Sequence, residues 1–147
     1  MAVDPRTLLL SLLLFPIACN DPPGEISRDT QPFDGIAPTA TISLTGTEPF
    51  WGITIEPDET AFRATYTSPE NIDGTAFAVT RFAGNNGLSF SGEMEGEDFI
   101  ATVTPGDCSD AMSDRNYPYT ATVALGDRTL IGCGYTSDEP FTGEQAP

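Results

Sequence analysis

Between Ala40 and Gly134, apolar side chains recur at every second position, and clusters of Gly, Pro, Asn and Asp break the run at short, regular intervals. A strand turns successive side chains to opposite faces, so this period marks half-buried β-strands. Helical spacing appears nowhere in the stretch. Ile42 and Leu44 begin the series, followed by Trp51, Ile53 and Ile55, then by Phe62, Ala64 and Tyr66. A fourth segment, Thr75 to Phe82, is ambiguous in facing, because Phe82 falls on the side opposite Phe77 and Val79. Leu88 and Phe90, then Phe99, Ala101 and Val103, supply the fifth and sixth, with Pro105-Gly106 expected to end the sixth. Tyr119, Ala121, Val123 and Leu125 form the cleanest alternation, and Gly126-Asp127 turns it onto Arg128 to Gly134. The expected fold is all-β, a small antiparallel barrel or sandwich of about eight strands in one domain over residues 39–136. Periodicity alone does not choose between barrel and sandwich. The acidic stretch 137–147 reads as a C-terminal tail that frays.

The residues before the strands carry an address. Arg6 precedes Leu8-Leu-Leu-Ser-Leu-Leu-Leu-Phe15, an apolar run far shorter than the roughly 20 residues a spanning helix needs. Residues 1–18 therefore read as an export signal peptide. The ending Phe15-Pro-Ile-Ala-Cys19 resembles a bacterial lipoprotein signal, with Pro16 where that signal usually carries Leu. The resemblance implies that Cys19 is lipidated and becomes the first residue after cleavage. The alternative is an ordinary secreted protein cut near Ala18. Residues 19–38 are rich in Pro, Gly and acids without an apolar period, and read as a flexible tether.

Charge narrows the partners. Twenty-two acidic residues stand against six basic ones, all Arg, giving a net charge of −16 with neither Lys nor His. Such a field repels phosphate backbones and anionic lipid surfaces, so nucleic acid is excluded as a partner and the membrane enters through the lipid anchor alone. A cationic protein or a divalent metal is what it could attract. Without His, the usual general base, zinc ligand and Ser/Cys-His pairings are all missing. No cofactor is expected.

With Cys19 assigned to lipid, Cys108 and Cys133 remain, and an exported chain is expected to oxidise them to a disulfide. Closing such a loop is expected to stabilise the fold by about 3 kcal/mol. A redox-active pair is the alternative, without the C-x-x-C spacing or a cationic setting. Cys108 opens a dense loop, Cys108-Ser-Asp-Ala-Met-Ser-Asp-Arg-Asn-Tyr-Pro-Tyr119. Asp107, Asp110 and Asp114 offer hard oxygen ligands, but the spacing is not that of a calcium loop, and no metal site is assigned. The simpler reading makes Asp114-Arg115 a charge pair, Ser109 or Ser113 a turn cap, and Tyr117 and Tyr119 packing at the end of the core.

Gly46-Thr-Glu-Pro-Phe-Trp51, Cys108 to Pro118 and Ile131-Gly-Cys133 together resemble a family of bacterial envelope lipoproteins to which no activity is assigned. That family carries G-x-E-P-F-W, then C-x-D-G-M-S-D-x-x-Y-P, then G-C; here Ala111 stands where it usually has Gly. The resemblance covers most of Gly46 to Gly134 and implies a small exported domain, often lipid-anchored. The expected function is a non-enzymatic binding or scaffolding module, anchored in the outer membrane and facing the periplasm. Its candidate binding face is Glu48, Phe50, Trp51, Asp110, Asp114, Arg115 and Tyr117. One alternative is an inhibitor of a cationic lysozyme, since lipid-anchored, disulfide-stapled β-barrels include such inhibitors. Those present a Ser and a Lys or Arg from inserted loops, and this chain has no Lys. A carboxylate-dependent hydrolase is the alternative of another class, with Glu48, the one acid in an aromatic setting, as its acid.

Overall fold

The computed structural model describes residues 31–143; the stretch read as a signal peptide, Cys19, most of the expected tether and residues 144–147 lie outside them. Eight antiparallel strands run in sequence order, and no helix forms among the described residues. They are β1 (Ile42–Thr47), β2 (Phe50–Asp58), β3 (Ala61–Ser68), β4 (Asn71–Ala83), β5 (Leu88–Met94), β6 (Glu97–Ser109), β7 (Asn116–Leu125) and β8 (Arg128–Thr136). Each pairs with the next, and β8 returns to β1 through Ile42 opposite Thr136 and Thr45 opposite Cys133, so the sheet closes into a barrel. Closure resolves the choice between barrel and sandwich and leaves no unpaired sheet edge along the wall.

The alternation read from the sequence is the inside-outside alternation of that wall. Ile42, Leu44, Ile53, Ile55, Phe90, Phe99, Ala101, Val103, Ala121, Val123 and Leu125 are buried in one cluster. Eight strands enclose a space that side chains can fill. Two edge-to-face pairs do much of the filling, Phe62 with Phe90 at 5.6 Å and Phe77 with Phe99 at 4.8 Å between ring centres. Burying rings of this size stabilises by about 1.5–3 kcal/mol each. Phe82 turns outward, which settles the facing of β4. Trp51 fits inside because two wall positions are glycine. A Cβ on Gly46 would stand 2.1 Å from the Trp51 indole nitrogen, and one on Gly132 only 2.0 Å from the Thr45 carbonyl oxygen.

Three features depart from the sequence reading. Pro105-Gly106 does not end β6: the strand continues to Ser109 through a bulge between Pro105 and Cys108, where the pairing with β7 shifts register. A bulge bends its strand. The packed domain also begins before residue 39. Ile36 is buried, Phe33 packs against the core, the Phe33 amide donates to the Gly84 carbonyl, and Arg81 donates to the Ile36 carbonyl. Residues 33–40 thereby cover the barrel end that holds the β4–β5 turn. Beyond Tyr135, where fraying is expected, the chain is held. Ser137 donates its amide to the Thr41 carbonyl, and Thr142 exchanges two backbone hydrogen bonds with Asn116.

Candidate functional site

The bulge gives the β6–β7 hairpin a tip that leaves the barrel wall and lies across the seam between the first and last strands. Cys108 and Cys133 are joined, with Cα atoms 5.6 Å apart, which ties the tip to β8. Thr47 of β1 donates its hydroxyl to the Asp110 carbonyl oxygen at 3.4 Å, so the tip also reaches the other side of the seam. Thr45, Thr47, Thr129, Ile131 and the disulfide, together with Glu48, Ser109, Asp110 and Ala111, line a hollow of about 440 Å³.

Asp110 organises the tip. One carboxylate oxygen accepts from the amides of Met112 and Ser113 at 3.0 and 2.8 Å. The other accepts from the hydroxyls of Ser113 and Tyr117 at 2.8 and 3.1 Å. Partial burial would raise this carboxyl, but the four donors outweigh it and hold the pKa down at about 2. Ser109 and Ser113 cap the turn as expected, accepting from the amides of Ala111 and Arg115. Ala111 adopts φ 59°, the left-handed region that glycine enters freely and alanine does not.

Beneath the tip lies an aromatic cluster. Tyr117 is buried with Tyr135 at 6.1 Å and Phe141 at 5.5 Å between ring centres. Burial pushes its phenol up; Arg115 opposes the rise and Asp110 adds to it. The Arg115 guanidinium lies over the Phe141 ring at 4.3 Å, a cation–π contact. The expected Asp114–Arg115 charge pair does not form, because the only ion pairs among the described residues are Arg63–Asp58 and Arg128–Glu97. Stacking on Phe141 takes Arg115 instead. Nearby, Tyr119 donates to the Glu139 carboxylate, and its phenol is pushed up by burial and by that negative neighbour.

Glu48 and Asp110 therefore both line the hollow, while Tyr117 supports it through its hydrogen bond to Asp110. Phe50 stands outward, 53% exposed, on the next strand, and Trp51 is buried behind the wall. Asp114 and Arg115 are not among the residues that line the hollow: Arg115 stacks on Phe141, and the Asp114 carbonyl lies against the C-terminal segment, 2.1 Å from where a Cβ on Gly143 would stand. Glu48 is exposed on the β1–β2 turn, so the expectation of an acid held in an aromatic setting is corrected. Its aromatic neighbours diverge, Phe50 outward and Trp51 inward. Asp107, Asp110 and Asp114 do not converge, and no group of three potential metal ligands is formed among the described residues. Tyr135, Glu139 and Phe141 belong to the support of the site and escaped the sequence reading. An isolated Phe in an acidic tail was the available signal. Comparison with known proteins finds no matching family model, no matching curated protein and no matching solved structure.

Proposed function

We propose that this chain is a non-enzymatic, lipid-anchored binding or scaffolding module of the bacterial envelope. In this reading Cys19 holds it in the outer membrane facing the periplasm, and the hollow beside the stapled tip receives a protein partner. The observation that carries it is a convergence in space. The three segments behind the family resemblance, Gly46–Trp51, Cys108–Pro118 and Ile131–Cys133, are far apart in the chain, and all three contribute walls to this one hollow. A disulfide and a four-donor aspartate hold its rim, an arrangement that presents a surface at low ordering cost. The acidic surface favours a cationic partner. The exposed position of Glu48 weighs against a hydrolase built on it.

Two measurements test the reading. Cys19→Ser is expected to move the protein from the membrane fraction to the soluble periplasm; continued membrane retention removes the anchor. A photo-crosslinking residue placed at Thr129, in the hollow, is expected to trap a defined envelope protein in living cells, whereas one at Phe82, outside the hollow, is not. Equal trapping at both positions removes the binding face.

A further inference from the structure

The hollow beside the tip does not end at β1. A second one, of about 380 Å³, adjoins it through Thr45 and Gly46 and is lined by Phe50, Gly52, Thr67, Pro69 and Ile72. Register explains the continuity. Thr67, Gly52, Thr45 and Cys133 stand directly opposite one another on β3, β2, β1 and β8, forming a low row across the outer wall. Large apolar side chains rise around it: Ile72 is 81% exposed, Ile131 74% and Phe50 53%. Half of the six large exposed hydrophobics of the described residues thus surround one trough. Concentration of this kind, edged by polar groups, marks an interaction surface.

We propose that the trough binds an extended, cationic polypeptide segment whose apolar side chains alternate with Lys or Arg. The proposal rests on the binding reading above and specifies its partner. From β4 to β8 the trough crosses four strand steps, about 19 Å, the length of about six extended residues. The closed wall offers no edge for added-strand pairing, so the segment is held through its side chains, lying across the strands. Apolar residues meet Phe50, Ile72 and Ile131. The charged residues lining the two hollows, Glu48 and Asp110, are both acids, and Arg115 is turned away onto Phe141. Those acids, on a chain of net charge −16, repel a second copy and an anionic bilayer surface while attracting a basic segment.

The test is fluorescence anisotropy of a labelled peptide about seven residues long, alternating Leu and Lys, titrated with the full-length chain. Replacing its Leu by Ser, or its Lys by Glu, is expected to weaken binding by about tenfold or more. Ile72→Asp and Ile131→Asp are each expected to weaken it by about tenfold, and Phe82→Asp by less than about twofold. All three variants replace an exposed side chain and add the same charge, so unspecific attraction would strengthen binding equally in each. Absence of binding, equal binding of the Ser-containing or Glu-containing peptide, or equal effects of Ile72→Asp and Phe82→Asp overturns the proposal. Weakening by Ile131→Asp without Ile72→Asp overturns the extended trough and leaves the hollow beside the tip standing as the binding face. Binding that neither variant weakens removes both.

Discussion

Asp110 and Ala111 are neighbours whose conformations make opposite demands on the tip. Asp110 accepts four hydrogen bonds and its folded pKa of about 2 lies below the ordinary 3.8. A depressed carboxyl stabilises fully above the ordinary value and loses that contribution as pH falls through the folded one. The gap in stability between the native chain and Asp110→Asn, about 1–2 kcal/mol after solvent screening, is therefore expected to be full above about pH 4 and to close toward pH 2. Denaturation midpoints of both chains across that range check it; a gap independent of pH would assign the effect to shape. Ala111 costs stability in its left-handed conformation, about 1–2 kcal/mol, of which glycine returns part against its own chain entropy. Ala111→Gly is expected to raise stability by about 0.5–1 kcal/mol in urea unfolding.

At the scale of elements, the strands were legible because each buries one face, and burial writes a period of two directly into the residue order. Eight strands follow from that, and the facing of all but β4, where Phe82 breaks the alternation and the structure turns it outward. Elements that pack without such a period were not legible. Phe33 and Ile36 sit in a Pro- and Gly-rich segment that looks like linker, yet they cover a barrel end. Phe141 sits among acids and stacks on Tyr117, Tyr135 and Arg115. The bulge hid behind Pro105-Gly106 because the same dipeptide that ends a strand also bends one. The candidate face was half legible for a related reason: spacing brings Glu48 near Asp110 only after the bulge swings the tip over the seam. The disulfide is the covalent tie of the tip to the barrel wall, beside the hydrogen bonds from Thr47 to Asp110 and between Asn116 and Thr142. Replacing both Cys108 and Cys133 by Ser is expected to cost about 3 kcal/mol for a separation of 25 residues. Hydrogen exchange should rise first in residues 107–116, with β2 and β3 still protected. Uniform loss of protection would make the tip part of the barrel's folding unit.

For the whole molecule, 22 acids and six arginines on one small domain and its flanks act as a diffuse repulsion. Raising salt from about 0.01 M to about 0.15 M shortens the screening length from roughly 30 to 8 Å. The thermal midpoint is accordingly expected to rise over that interval, as calorimetry can read; a flat or falling midpoint would mean that attractive pairs dominate. The same screening should weaken attraction of a basic partner, so stability and partner affinity are expected to respond to salt in opposite directions. The position of the tip has a mechanical consequence as well. In a chain held by its N-terminus, any pull arrives first at residues 33–40 and then at β1. That strand is gripped by ladders on both sides and by Thr47 beneath the tip, while the covalent bridge clamps the tip to the strand next door. Under the anchoring proposed above, a pull that detaches β1 has to break both of its ladders, and the strap over the seam acts as a rivet against opening the barrel at that strand.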